Sequence, residues 1–201
     1  MSENKEQEEY PLDTYYTLWY HGITEKNWDK NSYVKIGTIH SLKDFWIYYN
    51  SINTFLKGIF FLMKEDILPI WEVPDNINGG YWSFRVERDK VDDIWIKLSI
   101  QLITENICNS SSSSNSEQQL EQSEQQEEQE QQDQQEEIIK HDINGISISP
   151  KAVNAVIKIW NNDSLYCKLD DIKSVINIEL ESSYTFYRPH KKHKDIMKLN
   201  K

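Results

Sequence analysis

Hydrophobic and polar residues alternate over several short stretches of the chain, and this pattern predicts strands. Thr14–Tyr20 and Tyr81–Val86 are rich in aromatic and β-branched residues, and Ile143–Ser149 alternates isoleucine with polar residues, as a half-buried strand does. Asn78-Gly79-Gly80 predicts a hairpin turn that joins a strand at Ile70–Trp71 to the strand at Tyr81–Val86. Further strands are predicted at Gly58–Met63, Val156–Trp160 and Thr185–Tyr187.

Three other segments have helical periodicity. Ser41 has the character of an N-cap, and apolar residues recur after it at helical spacing. The segment Val91–Ile103 carries two apolar stripes, one of which packs on the sheet while the other is buried too or meets a partner. The sequence therefore predicts an α+β domain, an antiparallel sheet with helices on one face. The helical residues are Leu42, Phe45, Trp46 and Tyr49; Ile94, Leu98 and Leu102 in one stripe, Ile96, Ile100 and Ile103 in the other; and, in a last helix at Asp170–Leu180, Ile172, Val175, Ile176 and Leu180.

Two acidic segments account for most of the net charge of −11. One is a polar tail at residues 1–9, and the other is a Ser-, Gln- and Glu-rich insert at about 109–137; both are predicted to be disordered because they cannot bury enough apolar surface. We expect the insert to interrupt one domain at residues 10–201, since the part after it is too short for a core of its own. Without these segments the chain is near neutral, so its charge does not exclude an anionic ligand.

Several functional classes have no support in the sequence. No apolar run is long enough for a transmembrane helix, no signal peptide is evident, and the cysteines, Cys108 and Cys167, read as free thiols. These features predict a location in the cytosol or nucleus and no membrane partner. The histidines are not spaced as metal ligands, and no nucleotide-binding loop or nucleophile motif is present. The sequence favours a binding protein without metal or cofactor over an enzyme.

Two of the seven tryptophans stand out. Trp28 lies in the polar segment Gly22–Ser32, and Trp71 is followed by Glu72 and a predicted loop. A tryptophan on a loop suits stacking on a flat ligand better than packing in a core.

Short segments in a characteristic order give the chain a family resemblance. They are Tyr10-Pro-Leu with Leu18-Trp19, Trp28 followed by Phe45-Trp46, Leu68-Pro-Ile-Trp-Glu72, Gly79-Gly-Tyr-Trp82, Ile94-Trp-Ile, and Gly145-Ile-Ser-Ile-Ser with Ile157-Lys-Ile-Trp160. In these segments the chain resembles the eukaryotic translation initiation factor 4E family, which binds the mRNA 5′ cap. The resemblance implies a curved antiparallel sheet with three long helices on its convex face and the cap on its concave face.

By position, the resemblance assigns the cap base to four residues. Trp28 and Trp71 would sandwich the 7-methylguanine, Glu72 would accept two N–H bonds from its Watson–Crick edge, and Trp160 would touch the N7-methyl group. A methylated, cationic purine between two indoles gains stacking and cation–π attraction, and a carboxylate facing two donors makes charge-assisted bonds.

The phosphate site departs from the family pattern. Lys151 matches a family position, but a second family lysine is Val156 here. Lys158 lies two residues further on, so it shares a strand face with Val156 and Trp160 and is predicted to replace the missing lysine. Basic residues of the C-terminal tail are further candidates for phosphate contacts: Arg188, Lys191 and Lys192.

The resemblance also implies a protein-binding surface on the helices, for the helical motif of the scaffold factor 4G or of its competitors. Lys97 stands there in place of a family acid, and Tyr16 stands where the leading class has tryptophan. The residues that match this surface are Pro11, Leu12, Leu42, Trp46, Ile96 and Ile100.

The sequence thus predicts a monomeric, cytoplasmic cap-binding factor that recruits capped mRNA through a scaffold partner. Lys97 and Tyr16 leave open a cap-binding repressor that does not engage the scaffold. An enzyme acting on the cap and a binder of other flat ligands are the alternatives from other classes.

Overall fold

Seven strands form one antiparallel sheet in the computed structural model, which describes residues 10–65, 67–105, 143–167 and 185–191. The strands are β1 (Pro11–His21), β2 (Tyr33–Ser41), β3 (Ile59–Lys64), β4 (Gly80–Glu87), β5 (Ile143–Pro150), β6 (Asn154–Asn161) and β7 (Phe186–Pro189), and their order across the sheet is β2-β1-β3-β5-β6-β4-β7. The helices are α1 (Leu42–Ser51), α2 (Pro74–Ile77) and α3 (Val91–Ile103), with single 3₁₀ turns at Lys30–Ser32, Phe55–Lys57 and Arg88–Lys90.

The main core lies between the sheet and two of these helices. Because side chains alternate along a strand, Leu62 of β3 and Ile157 of β6 face this core, while the residues next to them face the opposite side. Helix α1 contributes Phe45, and α3 contributes Trp95 and Leu98, all buried. The sheet is curved, and its concave side, opposite α1 and α3, is called the open face below.

The α+β class, the curved antiparallel sheet and the strands and helices predicted within the described residues are confirmed, with one exception among the strands. Ser41 is the N-cap of α1, since its hydroxyl accepts a hydrogen bond of 3.1 Å from the backbone N–H of Asp44. Several predictions fall outside the described residues: the tail at 1–9, the insert at 109–137 and the helix at Asp170–Leu180.

The predicted hairpin at Asn78-Gly79-Gly80 is wrong, and so is its predicted first strand at Ile70–Trp71, where the chain enters a turn. The segment before it forms α2, which begins with Pro74 at a position where proline favours a helix, and β4 pairs with β6 and β7 instead. A Cβ on Gly79 would clash with the carbonyl oxygen of Asn161. The glycine therefore allows a close approach to β6 and does not form the turn of a hairpin.

Helix α3 buries a different set of residues from either predicted stripe. Leu98, Leu102 and Ile103 are buried with Trp95, whereas Ile94 and the partner-binding candidates Ile96 and Ile100 are half-buried at its border. Tyr16 of β1 donates a hydrogen bond of 3.0 Å to the carbonyl oxygen of Leu102, and burial raises the pKa of the Tyr16 phenol well above its usual value. Tyr16, which stands where the leading class of the family has tryptophan, thus joins β1 to the end of α3 through its hydroxyl group.

Candidate functional site

The open face carries a second apolar cluster, separate from the main core. Phe61 and Met63 of β3 and Trp160 of β6 are buried at its centre. Further hydrophobic residues pack around them, half-buried: Trp19, Tyr33, Ile59, Ile67 and Trp71. The cluster gives the concave side of the sheet an aromatic floor.

A row of ring contacts crosses this floor and joins the two predicted loop tryptophans. The centroid distances along the row are 6.3 Å for Trp28–Tyr33, 5.6 Å for Tyr33–Phe61, 6.3 Å for Phe61–Trp160, 5.1 Å for Trp160–His190 and 6.4 Å for His190–Trp71. Trp28 and Trp71 therefore stand at opposite ends of one aromatic surface.

Trp28 lies on the loop between β1 and the first 3₁₀ turn, as predicted, and 52% of its surface is exposed. Its ring stacks on the imidazole of His21, with centroids 4.0 Å apart and planes at 7°. His21 is the last residue of β1 and is fully buried. One face of the Trp28 indole is therefore covered by the side chain of His21 from β1.

Trp71 is half-buried on the segment between β3 and α2. The side-chain amide of Asn76 in α2 donates bonds of 2.9 Å to the carbonyl oxygens of Leu68 and Ile70, just before Trp71. Asn144 of β5 in turn donates to the side-chain oxygen of Asn76 at 2.9 Å. Both asparagines are buried, so a polar network fixes the backbone that leads into Trp71.

Glu72 follows Trp71 and is exposed. Burial, and after it the negative charge of Glu72, raise the pKa of the Tyr33 phenol well above its usual value. The carboxylate of Glu72 therefore lies close enough to the Tyr33 phenol for its charge to act on it.

Trp160 is buried and lies on the floor of this surface. Its indole N–H donates a hydrogen bond of 2.9 Å to the hydroxyl of Ser147 on β5. Tyr81 of β4 and His190, which follows β7, pack against it at 6.1 and 5.1 Å. The C-terminal end of the described chain thus helps to build the floor.

Basic residues from three elements converge at one side of Trp160. Lys158 of β6 shares the open face with Trp160, as predicted, and its ammonium lies 4.0 Å from the centre of the Tyr81 ring. Burial lowers the pKa of Lys158 to about 8, and the positive charges of Lys151 and Arg188 add to this effect. Lys151 and Arg188 therefore lie close enough to Lys158 for their charges to act on it.

The other two predicted phosphate contacts follow His190 in the chain. Lys191 is exposed just after His190, and Lys192 lies outside the described residues. Lys151 is exposed as well, and its carbonyl oxygen accepts a bond of 2.6 Å from the Arg88 guanidinium. The turn between β5 and β6 that carries Lys151 is thereby tied to the segment after β4.

Most of the predicted partner-binding residues lie on the helical side. Trp46 is 41% exposed on α1, next to the buried Phe45, and Leu42 starts the same helix. The backbone N–H of Leu42 donates to the carbonyl oxygen of Tyr10 at 2.9 Å, which places the start of β1 beside α1. The remaining candidates are the exposed Pro11 and the half-buried Leu12, Ile96 and Ile100.

Reasoning from the sequence missed several residues of the open face, among them aromatic residues and histidines that contact the predicted site tryptophans directly. Phe61, Tyr81 and His21 could have been found by alternation, because each occupies the open-face register of its strand. The positions of Tyr33 and His190 depend on contacts between distant parts of the chain, and no local signal marks them.

Two further features of the described residues bear on function. Within residues 10–65, 67–105, 143–167 and 185–191, no group of His, Cys, Asp and Glu side chains could hold a metal ion. None of the helices in these ranges has the length and apolar composition that a bilayer crossing requires.

Sequence comparison relates the chain to translation initiation factors. The sequence model of a family described as "Eukaryotic initiation factor 4E" matches residues 11–201. The chain is 26% identical to eukaryotic translation initiation factor 4E of Candida albicans over 192 residues, which are 88% of this chain and 78% of the relative. It is 32% identical to eukaryotic translation initiation factor 4E-1 of Caenorhabditis elegans over 105 residues, 48% of this chain and 49% of the relative. It thus spans about half the length of several curated relatives that it matches.

Solved structures share the fold. The chain is similar to C. elegans eIF4E-3 in its complex with the 4E-binding protein Mextli and a cap analog, with a TM-score of 0.69 at 18% identity, over 94% of this chain and 96% of that one. It is also similar to Ascaris suum eIF4E-3 in its complex with the m7G cap, with a TM-score of 0.66 at 21% identity, over 91% and 92% of the two chains.

Proposed function

Because the chain belongs to the eukaryotic initiation factor 4E family, we propose that it binds the 7-methylguanosine cap of mRNA and recruits capped mRNA for translation through a scaffold protein. The observation that carries the proposal is the pair of tryptophans, Trp28 and Trp71, at the two ends of one aromatic row, with Glu72 directly after Trp71 and its charge acting on Tyr33. The eIF4E-3 proteins with the same fold were solved with the m7G cap and with a cap analog.

The base of the cap would lie between the two indoles. Methylation at N7 makes the purine cationic, and a cation near an indole face gains ~2 kcal/mol or more when water is excluded. Glu72 would accept two hydrogen bonds from the Watson–Crick edge, and its negative charge favours the methylated base over the neutral one. Trp160, held by Ser147 at 2.9 Å, would form the floor beneath the N7-methyl group.

The phosphates of the cap would lie against Lys158, Lys151 and Arg188. The positive charges of Lys151 and Arg188 act on Lys158, so a polyanion that binds beside Lys158 relieves that repulsion. Lys191 and Lys192 would extend the basic region toward the next nucleotides. Lys158 takes the place of the family lysine that is Val156 here.

The helical side would bind the scaffold factor. Trp46 offers a large exposed aromatic side chain one helical turn after Leu42, and an aromatic anchor at an interface centre carries much of the binding energy. This exposed surface favours an initiation factor that binds a scaffold over a repressor that leaves the scaffold unbound. The partner would be a scaffold factor of the 4G type or another protein with the 4E-binding helical motif. The protein would act in the cytoplasm as a monomer and without catalysis.

Binding to capped and uncapped RNA of the same sequence tests the proposal. The wild-type protein should retain the capped RNA selectively, and Glu72→Gln should lose most of this selectivity because a neutral amide presents a donor where the base also donates. Asp75→Asn is a matched control, since Asp75 is an exposed acid three residues further on, in α2. Equal retention of capped and uncapped RNA by the wild type would refute cap binding.

A further inference from the structure

The loop that carries Trp28 is held to the sheet mainly through one side chain. His21 is fully buried beneath Trp28 and stacks on it at 4.0 Å with nearly parallel planes. Its Nδ1 lies 3.0 Å from the carbonyl oxygen of Gly22, and its Nε2 lies 2.9 Å from that of Asn27. The ring therefore meets the loop at its start, at its end and at the tryptophan itself.

The hydrogen-bond chemistry of the ring explains why histidine suits this position. A ring nitrogen must carry its proton to bond a carbonyl oxygen, so the doubly protonated ring makes both bonds and either neutral tautomer makes one. Phenylalanine could supply the flat face but neither donor.

The remaining bonds of the loop are internal to it. Glu25 accepts from the backbone N–H of Asn27 at 2.7 Å, Asn27 donates to Asp29 at 2.7 Å, and the backbone N–H of Glu25 donates to Gly22 at 3.2 Å. These contacts shape the loop but do not attach it to β1. The attachment to the sheet comes from His21 and, at the ring edge, from Tyr33 at 6.3 Å from Trp28.

We propose that His21 is a positioning residue for ligand stacking, which backs one face of Trp28 and ties residues 22–27 to β1 so that the other face is presented ready for a flat cationic ligand. The inference rests on the proposed function, and it makes His21 the residue that supports the stacking surface of Trp28. A side chain that is already ordered loses less conformational freedom when the ligand binds, so removal of the support should weaken binding without removing any ligand contact.

A double-mutant cycle tests this role. His21→Phe should weaken binding of 7-methyl-GTP about tenfold, which is ~1.4 kcal/mol, in a protein that is otherwise wild type. In a Trp28→Leu background the same change should have an effect of less than about twofold, as for a surface substitution, because His21 acts through Trp28. His40→Phe is the matched control: His40 is an exposed histidine of β2 whose ring meets Tyr15, and its replacement should leave affinity unchanged in both backgrounds.

A second measurement needs no ligand. Lys26 lies in the loop and is exposed, so the rate of tryptic cleavage after Lys26 reports how firmly the loop is held. His21→Phe should speed this cleavage by about tenfold, a ~1.4 kcal/mol change in loop opening, while cleavage after Lys57 and the thermal midpoint change little.

The outcomes separate the two proposals. Unchanged affinity and unchanged cleavage in His21→Phe would overturn the positioning role, and so would an equal loss of affinity in both backgrounds. If the wild type does not bind 7-methyl-GTP, the cap-binding function is refuted. Faster cleavage after Lys26 in His21→Phe would in that case still support the role of His21 in holding the loop. If His21→Phe fails to fold, His21→Gln, which keeps an N–H donor but not the ring, should fold and still lose the Trp28-dependent affinity.

Discussion

Truncation of Trp46 should weaken partner binding at the helical side while the protein stays folded. The side chain is 41% exposed and contacts Phe45 and Tyr49 on its own helix, at ring distances of 5.3 and 5.8 Å. From its partial burial, Trp46→Ala should lower the free energy of unfolding by about 1–2 kcal/mol. The same change at an interface centre costs ~2–4 kcal/mol, or ~30- to 1,000-fold in affinity.

The neighbouring residue supplies a matched control. Phe45 is only 4% exposed and belongs to the main core, so Phe45→Ala should lower the free energy of unfolding by ~3–5 kcal/mol and impair every activity. Thermal melts, 7-methyl-GTP titration and calorimetry with a helical peptide that carries the 4E-binding motif distinguish the two variants. Trp46→Ala should melt close to wild type, bind 7-methyl-GTP normally and lose the peptide.

Two results would refute this reasoning. A well-folded Trp46→Ala protein that binds the peptide as tightly as wild type would remove Trp46 from the interface. A loss of 7-methyl-GTP affinity in the same well-folded variant would show that the helical side and the open face are coupled, although they lie on opposite sides of the sheet.

Three further predictions concern the open face and the insert. The affinity for 7-methyl-GTP should fall as the pH rises through about 8, where Lys158 loses its charge. Lys158→Arg should flatten this fall because a guanidinium stays charged, and an identical affinity profile in this variant would contradict the role of the Lys158 charge in binding. The same lowered pKa means that Lys158 adds to folding stability as the pH rises from about 8 to 10.5. Asn76→Ala should weaken cap binding about tenfold or more, ~1.4 kcal/mol, because the carbonyl oxygens of Leu68 and Ile70 lose their donor; calorimetry that finds wild-type affinity would show that this network does not position Trp71. Deletion of residues 110–137 should leave cap affinity unchanged, and a tenfold loss (~1.4 kcal/mol) would assign the insert to the site.

Local signals in the sequence were enough to predict most elements of the fold. The bounds of α3 at Val91–Ile103 follow from its apolar periodicity, and the start of α1 follows from Ser41. The prediction of a hairpin at Asn78-Gly79-Gly80 was wrong because the glycine at position 79 is required by a close contact with the backbone of Asn161, which is far away in the sequence. A glycine needed for a distant contact cannot be told from a turn glycine by its neighbours.

In the candidate site, too, local signals identify some residues, whereas others depend on contacts between distant parts of the chain. Trp28 and Trp71 could be singled out because polar or loop-forming residues surround them, and Lys158 could be placed beside Trp160 by alternation along one strand. Their supports could not be predicted, since the contact of Asn144 with Asn76 depends on how β5 lies relative to α2. Likewise, the place of His190 beneath Trp71 depends on the pairing of β7 with β4.

The selectivity for the methylated base tests the central proposal most directly. Quenching of tryptophan fluorescence gives the dissociation constants of 7-methyl-GTP and GTP under the same conditions. Since Trp28 and Trp71 would hold a cationic base beside the carboxylate of Glu72, the methylated nucleotide should bind at least about tenfold more tightly, a difference of ~1.4 kcal/mol or more. Equal dissociation constants for the two nucleotides would contradict the proposal that this surface recognises the charge of the cap.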